Sequence, residues 1–204
     1  MSLQKSTYHL LAGLMILCSF FFPIEASGQI DSLLIAPFKE KKSITYGFNN
    51  RRTFLLNSSS TIYGLYMGIQ YGKRLKHVIT INSNGFWAGE EQQVQLLYGG
   101  LAEEFTFLSL KRFDFISYIH AGLGIARYRE MNSSGSYIIS RELISPIELG
   151  IHGSFSVNSW LALNGGAGYR FVLLEEIDQL DHIYYKIGLS LSIEKFLEAR
   201  FAKK

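Results

Sequence analysis

Between Ser145 and Phe171 the chain alternates apolar and polar positions almost without interruption. Ile147, Leu149, Ile151 and Phe155 form one row, with Glu148, Gly150, His152, Ser154 and Ser156 between them. After Val157-Asn158-Ser159 the rule resumes. Leu161, Leu163, Ala167, Tyr169 and Phe171 alternate with Ala162, Asn164, Gly166, Gly168 and Arg170. A period of two on both sides of a short polar turn predicts a β-hairpin. The second row mixes ionisable residues with glycines, which suits neither a dry core nor open water. One hydrocarbon face and one crowded polar face is the requirement on a strand that closes a barrel inside a membrane.

The same alternation recurs along the chain. Strands are predicted at about Ser43–Asn49, Tyr63–Gly72, Lys76–Trp87, Gln93–Phe107 and Phe115–Arg129, then the two arms of the hairpin, then His182–Lys195. In the second, Tyr63, Leu65, Met67, Ile69 and Tyr71 face outward; at roughly 3.3 Å per residue and a tilt near 45° the two tyrosines stand about 19 Å apart, one at each edge of an apolar band. The fourth is least regular. Val94, Leu96, Tyr98 and Ala102 are assigned outward and Gln93, Gln95, Gly99 and Glu103 inward, with a bulge expected at Glu103-Glu104. In the last, Ile183, Tyr185, Ile187, Leu189, Leu191 and Ile193 face outward against Tyr184, Lys186, Gly188, Ser190, Ser192 and Glu194. Asn50 to Ser60 reads as a long polar connection, which leaves the middle of the first strand without charge. The second, fourth and sixth connections are short; the others are mostly longer and more polar. These patterns predict an all-β protein: an eight-stranded antiparallel transmembrane up-and-down β-barrel.

Composition adds a destination. Lys5, the apolar run Leu10 to Phe22 and the small residues around Ala26-Ser27-Gly28 read as a cleaved secretory signal peptide over residues 1–28. Residues 29–42 then form a polar periplasmic linker, 43–196 the barrel and 197–204 a periplasmic tail. Cys18 is the single cysteine of 204 residues, so the mature chain has none for disulfides or thiolate-bound metal. The net charge of +3 is unchanged by loss of Lys5 and Glu25, and no basic stripe with interleaved aromatics suggests nucleic acid. No long apolar helix follows the signal, so a membrane can be crossed only by a closed barrel.

Segments such as YIHAGLGIARY (Tyr118–Tyr128) and WLALNGGAGYRF (Trp160–Phe171) resemble the strands of small eight-stranded outer-membrane β-barrel proteins. That class includes the OmpA transmembrane domain, OmpX and the barrel-only outer membrane protein β-barrel group. The resemblance covers about Ser43–Phe196. It implies the outer membrane of a Gram-negative bacterium, contact with membrane lipid and lipopolysaccharide, and a monomer that meets any surface ligand through its external loops. The C-terminus departs from the class, whose last strand commonly ends on an aromatic residue. Phe196 is out of phase with Leu191 and Ile193.

The inward ionisable set is Glu103, His120, Glu148, His152, Arg170, Lys186 and Glu194. An eight-stranded barrel is just wide enough for side chains to fill it, so these residues are expected to pair as a structural network. Glu148 and Arg170, on adjacent strands, are the first pair to expect if register brings them level. No catalytic residue, cofactor or metal site is assigned; nothing fixes the relative height of His120, Glu148 and His152 as metal ligands. The alternative is a lipid A-modifying, deacylase-like enzyme, because His152-Gly153-Ser154 matches the His-x-Ser spacing of that group. The pair falls on the inward row, however, and the next strand supplies no carboxylate to orient the histidine. A soluble lipocalin-like barrel would invert the faces, exposing Ile183, Ile187 and Leu189 or leaving Lys186 in a dry core.

Overall fold

The computed structural model describes residues 36–56, 58–85, 92–131, 137–173 and 180–201. A 3-10 turn at Ala36–Lys39 leads into β1 (Lys42–Leu55), followed by β2 (Ser58–Tyr71), β3 (Leu75–Ser83), β4 (Gln92–Leu110), β5 (Phe113–Met131), β6 (Tyr137–Ser156), β7 (Leu161–Leu173) and β8 (His182–Ser192). A helix, α1 (Ile193–Phe201), completes the described chain. Each strand pairs antiparallel with its sequence neighbours, and β1 pairs with β8 from Thr45↔Ser192 to Thr53↔Tyr184, which closes the barrel. The fold is an eight-stranded up-and-down barrel. Closure leaves no free sheet edge around the ring.

The wall carries the alternation read from the sequence. Leu65, Ile81, Leu101, Leu123, Ile151 and Ile187 lie on the outside with more than half of their surface exposed, while Tyr66, Asn82, His120, Glu148 and Lys186 lie inside and buried. Glycines on the inward row make space for tyrosine rings. A Cβ at Gly47 would run into the ring of Tyr66, and one at Gly168 into that of Tyr184. The Gly-x-Gly strands are therefore a packing device, in which a missing side chain on one strand admits a large ring from another.

Backbone hydrogen bonds tie together the turns at the end where β1 begins and β8 finishes. Gly72 N donates to the carbonyl of Lys41 (3.0 Å), Thr106 N to Arg74 (2.8 Å), Ser156 N to Arg112 (2.8 Å) and Ser192 N to Trp160 (2.9 Å). Gly72 and Lys111 take left-handed conformations in the two tightest of these turns.

The structure corrects four details. β1 continues through Asn50-Arg51-Arg52-Thr53 to Leu55, so the first connection is a short turn, because alternation persists beneath the polar composition: Arg51, Thr53 and Leu55 point inward. β4 has the opposite phase from that expected. Val94, Leu96, Tyr98 and Ala102 are buried inside, and Leu97, Leu101 and Glu103 face out. Both of its rows are apolar, so composition does not decide the face. The register shift falls between Thr106 and Leu108, a few residues beyond Glu103-Glu104. Finally, β8 stops at Ser192 and the chain turns into α1, which accounts for Phe196 being out of strand phase. Phe196 instead packs edge-on against Trp160, with ring centroids 5.1 Å apart. The signal-peptide reading of residues 1–28 lies outside the described residues, as does the first half of the linker, residues 29–35.

Candidate functional site

The interior is filled in three layers. At the end away from the start of β1 and the finish of β8, Leu55, Ile62, Val94, Leu96, Ala126, Tyr128, Ile144 and Leu180 form an apolar plug. Below it lies a cluster centred on Glu148. The register sets Glu148 directly opposite Arg170 on one side and His120 on the other. Arg170 Nε donates to Glu148 Oε1 at 3.0 Å, and the Tyr98 hydroxyl donates to the same oxygen at 2.8 Å. Arg51, from the part of β1 that reads as loop, reaches Glu148 Oε2 at 3.2 Å. Its guanidinium also donates to Asn82 Oδ1 and to the Tyr118 hydroxyl, both at 2.9 Å. His120 completes the ring: its Nε2 is 2.9 Å from the Thr80 hydroxyl and its Nδ1 faces Glu148 Oε2 at 3.8 Å. Six strands contribute to this cluster, and Arg51, His120, Glu148 and Arg170 are fully buried.

A second cluster is centred on Glu104. Lys76, directly opposite in the β3–β4 register, is ion-paired with it. Lys186 Nζ lies 3.5 Å and His152 Nε2 3.8 Å from Glu104 Oε1. Tyr118 separates the two clusters. Its hydroxyl binds Arg51 from one side, while Lys186 sits 4.4 Å from its ring centroid on the other.

Of the expected inward set, His120, Glu148, His152, Arg170 and Lys186 are inside, and Glu148 and Arg170 meet as the register argument anticipates. Glu103 is not inside. It faces outward beside His77, at 3.3 Å, because β4 has the other phase. Glu194 is not inside either, since the strand has ended; on α1 it pairs with Lys41 at 3.1 Å, outside the barrel. That hydrogen bond, with the charges of Glu194 and Glu198, raises the Lys41 pKa above its ordinary value. Sequence reasoning missed Arg51, Lys76 and Glu104. Continuing the phase of Phe48 through Asn50 and Arg52 to Phe54 would have found Arg51.

The chemistry available is mainly electrostatic. Four cations (Arg51, Lys76, Arg170 and Lys186) face two carboxylates (Glu104 and Glu148), so the interior is cationic. His152 does have a carboxylate nearby, Glu104, but it makes no hydrogen bond with Ser154. Among the described residues, no group of three or more His, Cys, Asp or Glu side chains could hold a metal ion. Among the described residues, the apolar plug above and the two ion clusters below fill the interior of the barrel. In planar bilayers the protein should therefore show no large, steady conductance. Porin-size openings recorded from the purified monomer would contradict this filling.

No protein-family model matches the chain, and no curated protein matches it. Three solved structures are similar in fold. The N-terminal β-barrel domain of Pseudomonas aeruginosa OprF is 11% identical, with a TM-score of 0.47, over 74% of this chain and 98% of that one. Neisserial surface protein A is 12% identical, with a TM-score of 0.45, over 74% and 96%. Ail, the attachment invasion locus protein of Yersinia pestis, is 12% identical, with a TM-score of 0.45, over 74% and 96%. The barrel itself rests on the strand pairing described above.

Proposed function

We propose that this chain is a non-enzymatic outer-membrane β-barrel protein of a Gram-negative bacterium. On this reading a signal peptide exports it, membrane lipid and lipopolysaccharide surround it, and its loops act in surface contact or envelope integrity as part of a monomer. The observation that carries the reading is the distribution of side chains. Apolar residues face outward on every strand, while arginine, lysine, glutamate and histidine fill the inside. In water this exposed apolar area would far exceed what a soluble monomer tolerates, whereas in a bilayer it is the required surface. Membrane fractionation followed by heat-modifiability on a gel tests it. The folded protein should sediment with outer membranes and migrate differently before and after boiling; recovery in the soluble fraction would overturn the proposal.

The lipid A-modifying alternative retains one supporting feature, the approach of Glu104 to His152. Against it, the Glu104 carboxylate is occupied by Lys76 and Lys186 and Ser154 is not engaged by the histidine. Activation of a serine requires base and nucleophile within hydrogen-bond reach. Ser154→Ala should leave the lipid A mass profile of an expressing strain unchanged. A shift in acyl composition that depends on Ser154 would restore the enzyme reading.

A further inference from the structure

Beside the Glu104 cluster lies a cavity of about 170 Å3 that opens at the end where β1 begins and β8 finishes. This is well beyond the roughly 10–15 Å3 that a single water needs. Five cations line it: Lys73, Arg74, Lys76, Lys111 and Lys195, against the two carboxylates of Glu104 and Asp114. Neither carboxylate is idle. Glu104 is held by Lys76 and Lys186, and Asp114 accepts a hydrogen bond from the Ser109 hydroxyl. Among the described residues Lys73, Arg74, Lys111 and Lys195 make no ion pair. They come from three separate segments, the β2–β3 turn, the β4–β5 turn and α1. The backbone bonds Gly72 to Lys41, Thr106 to Arg74 and Ser192 to Trp160 hold the surrounding rim together.

We infer that this mouth is a binding site for a phosphate-bearing anion of headgroup size. A cleft lined by one sign of charge between low-dielectric walls focuses potential and concentrates counter-ions. A single carboxylate would balance only one of the four unpaired cations. A phosphate monoester brings between one and two negative charges and several strong acceptor oxygens. Those oxygens match the fork of Arg74 and the ammonium groups around it. The phosphate has two possible sources, a soluble ester or the headgroup of a lipid in the adjacent leaflet; only the second depends on the membrane reading above.

The test uses the refolded chain in maltoside micelles, which contain no phosphate, with folding verified by heat-modifiable migration. In one arm glycerol 3-phosphate is titrated by calorimetry. In the other, phosphatidic acid, a lipid phosphate monoester, is added to the micelles and retained lipid is counted by native mass spectrometry. Saturable binding in either arm is expected, and the productive arm identifies the source. The combined variant Lys73→Gln, Arg74→Gln, Lys111→Gln, Lys195→Gln should weaken binding by about tenfold or more. Arg74→Lys should weaken it with no change in charge, because the planar fork is lost, which a diffuse ion atmosphere would not register. Arg127→Gln with Arg141→Gln, exposed at the opposite end, should have no effect. Absence of saturable binding in both arms, equal loss in the opposite-end variant, or indifference to Arg74→Lys each overturns the inference. Because the heat-modifiability control is independent of binding, a failed anion site is distinguishable from a failed barrel.

Discussion

Glu148→Gln should destabilise the barrel by about 3–5 kcal/mol, because it strips the counter-charge from two buried arginines at once. Glu148 is the carboxylate shared by Arg51 and Arg170, and all three side chains are fully buried. Glutamine keeps the shape but not the charge, so the cost is electrostatic rather than a cavity. The two arginines are not equivalent. Arg51 also holds Asn82 and the Tyr98 and Tyr118 hydroxyls, and truncating it leaves polar groups from three strands without a donor. Arg170 binds only through Nε, and its Nη1 and Nη2 have no hydrogen-bond partner among the described residues. Removing Arg170 also lowers the excess positive charge of the interior. The expected order of cost is therefore Glu148→Gln, then Arg51→Met, then Arg170→Met. Urea titrations of folding into lipid vesicles measure it. If Arg170→Met is the most damaging of the three, the view of Glu148 as the hub is wrong.

The order also marks how far the site was legible in the sequence. Where one row of a strand is aliphatic and the other carries glycine, serine and charge, as in β2, β5, β6, β7 and β8, a period of two assigns every face correctly. The Glu148–Arg170 pair follows from that once the β6–β7 register sets the two residues level. Two situations defeat it. In β1 the wall continues through Asn50-Arg51-Arg52, and polar composition outweighs alternation, so the most connected cation of the interior reads as loop. In β4 both rows are apolar, and Glu103 and Glu104 each have a basic partner across the β3–β4 register, His77 outside and Lys76 inside. Which glutamate is buried depends on the phase of the whole strand relative to its neighbours, a property of the closed sheet. The end of β8 is a third kind of case. Ser192-Ile193-Glu194 keeps the alternation, but IEKFLEARF also suits a helix, with Glu194 in its first turn and Arg200 in its last, as the helix dipole favours.

The wall gives the second large effect. Leu189→Arg should cost about 2–4 kcal/mol when folding is measured in a bilayer of matching thickness, as for lipid-facing arginines near mid-membrane. Leu189 lies on the outward row of β8, four residues after Tyr185 and four before Ile193, where α1 begins, and the register flanks it with Phe48 of β1 and Leu163 of β7. All three side chains are exposed and apolar. At roughly 3.3 Å per residue and a 45° tilt, four residues in either direction put the headgroups about 9 Å away. An arginine stem reaches that far only by straightening fully and giving up its rotamer freedom. The penalty should therefore shrink in thinner bilayers, where the guanidinium meets headgroups sooner. Ser190→Arg, one residue along, is the control. It points inward, where the serine hydroxyl lies 2.5 Å from the Tyr66 hydroxyl and accepts from Asn164 Nδ2 at 2.6 Å. Its cost comes from those lost bonds and from added positive charge beside the cationic cavity, and neither depends on bilayer thickness. Folding free energies for both variants across lipids of increasing chain length decide the matter. A thickness-dependent penalty at Ser190 and a flat one at Leu189 would mean that the two faces of β8 are reversed.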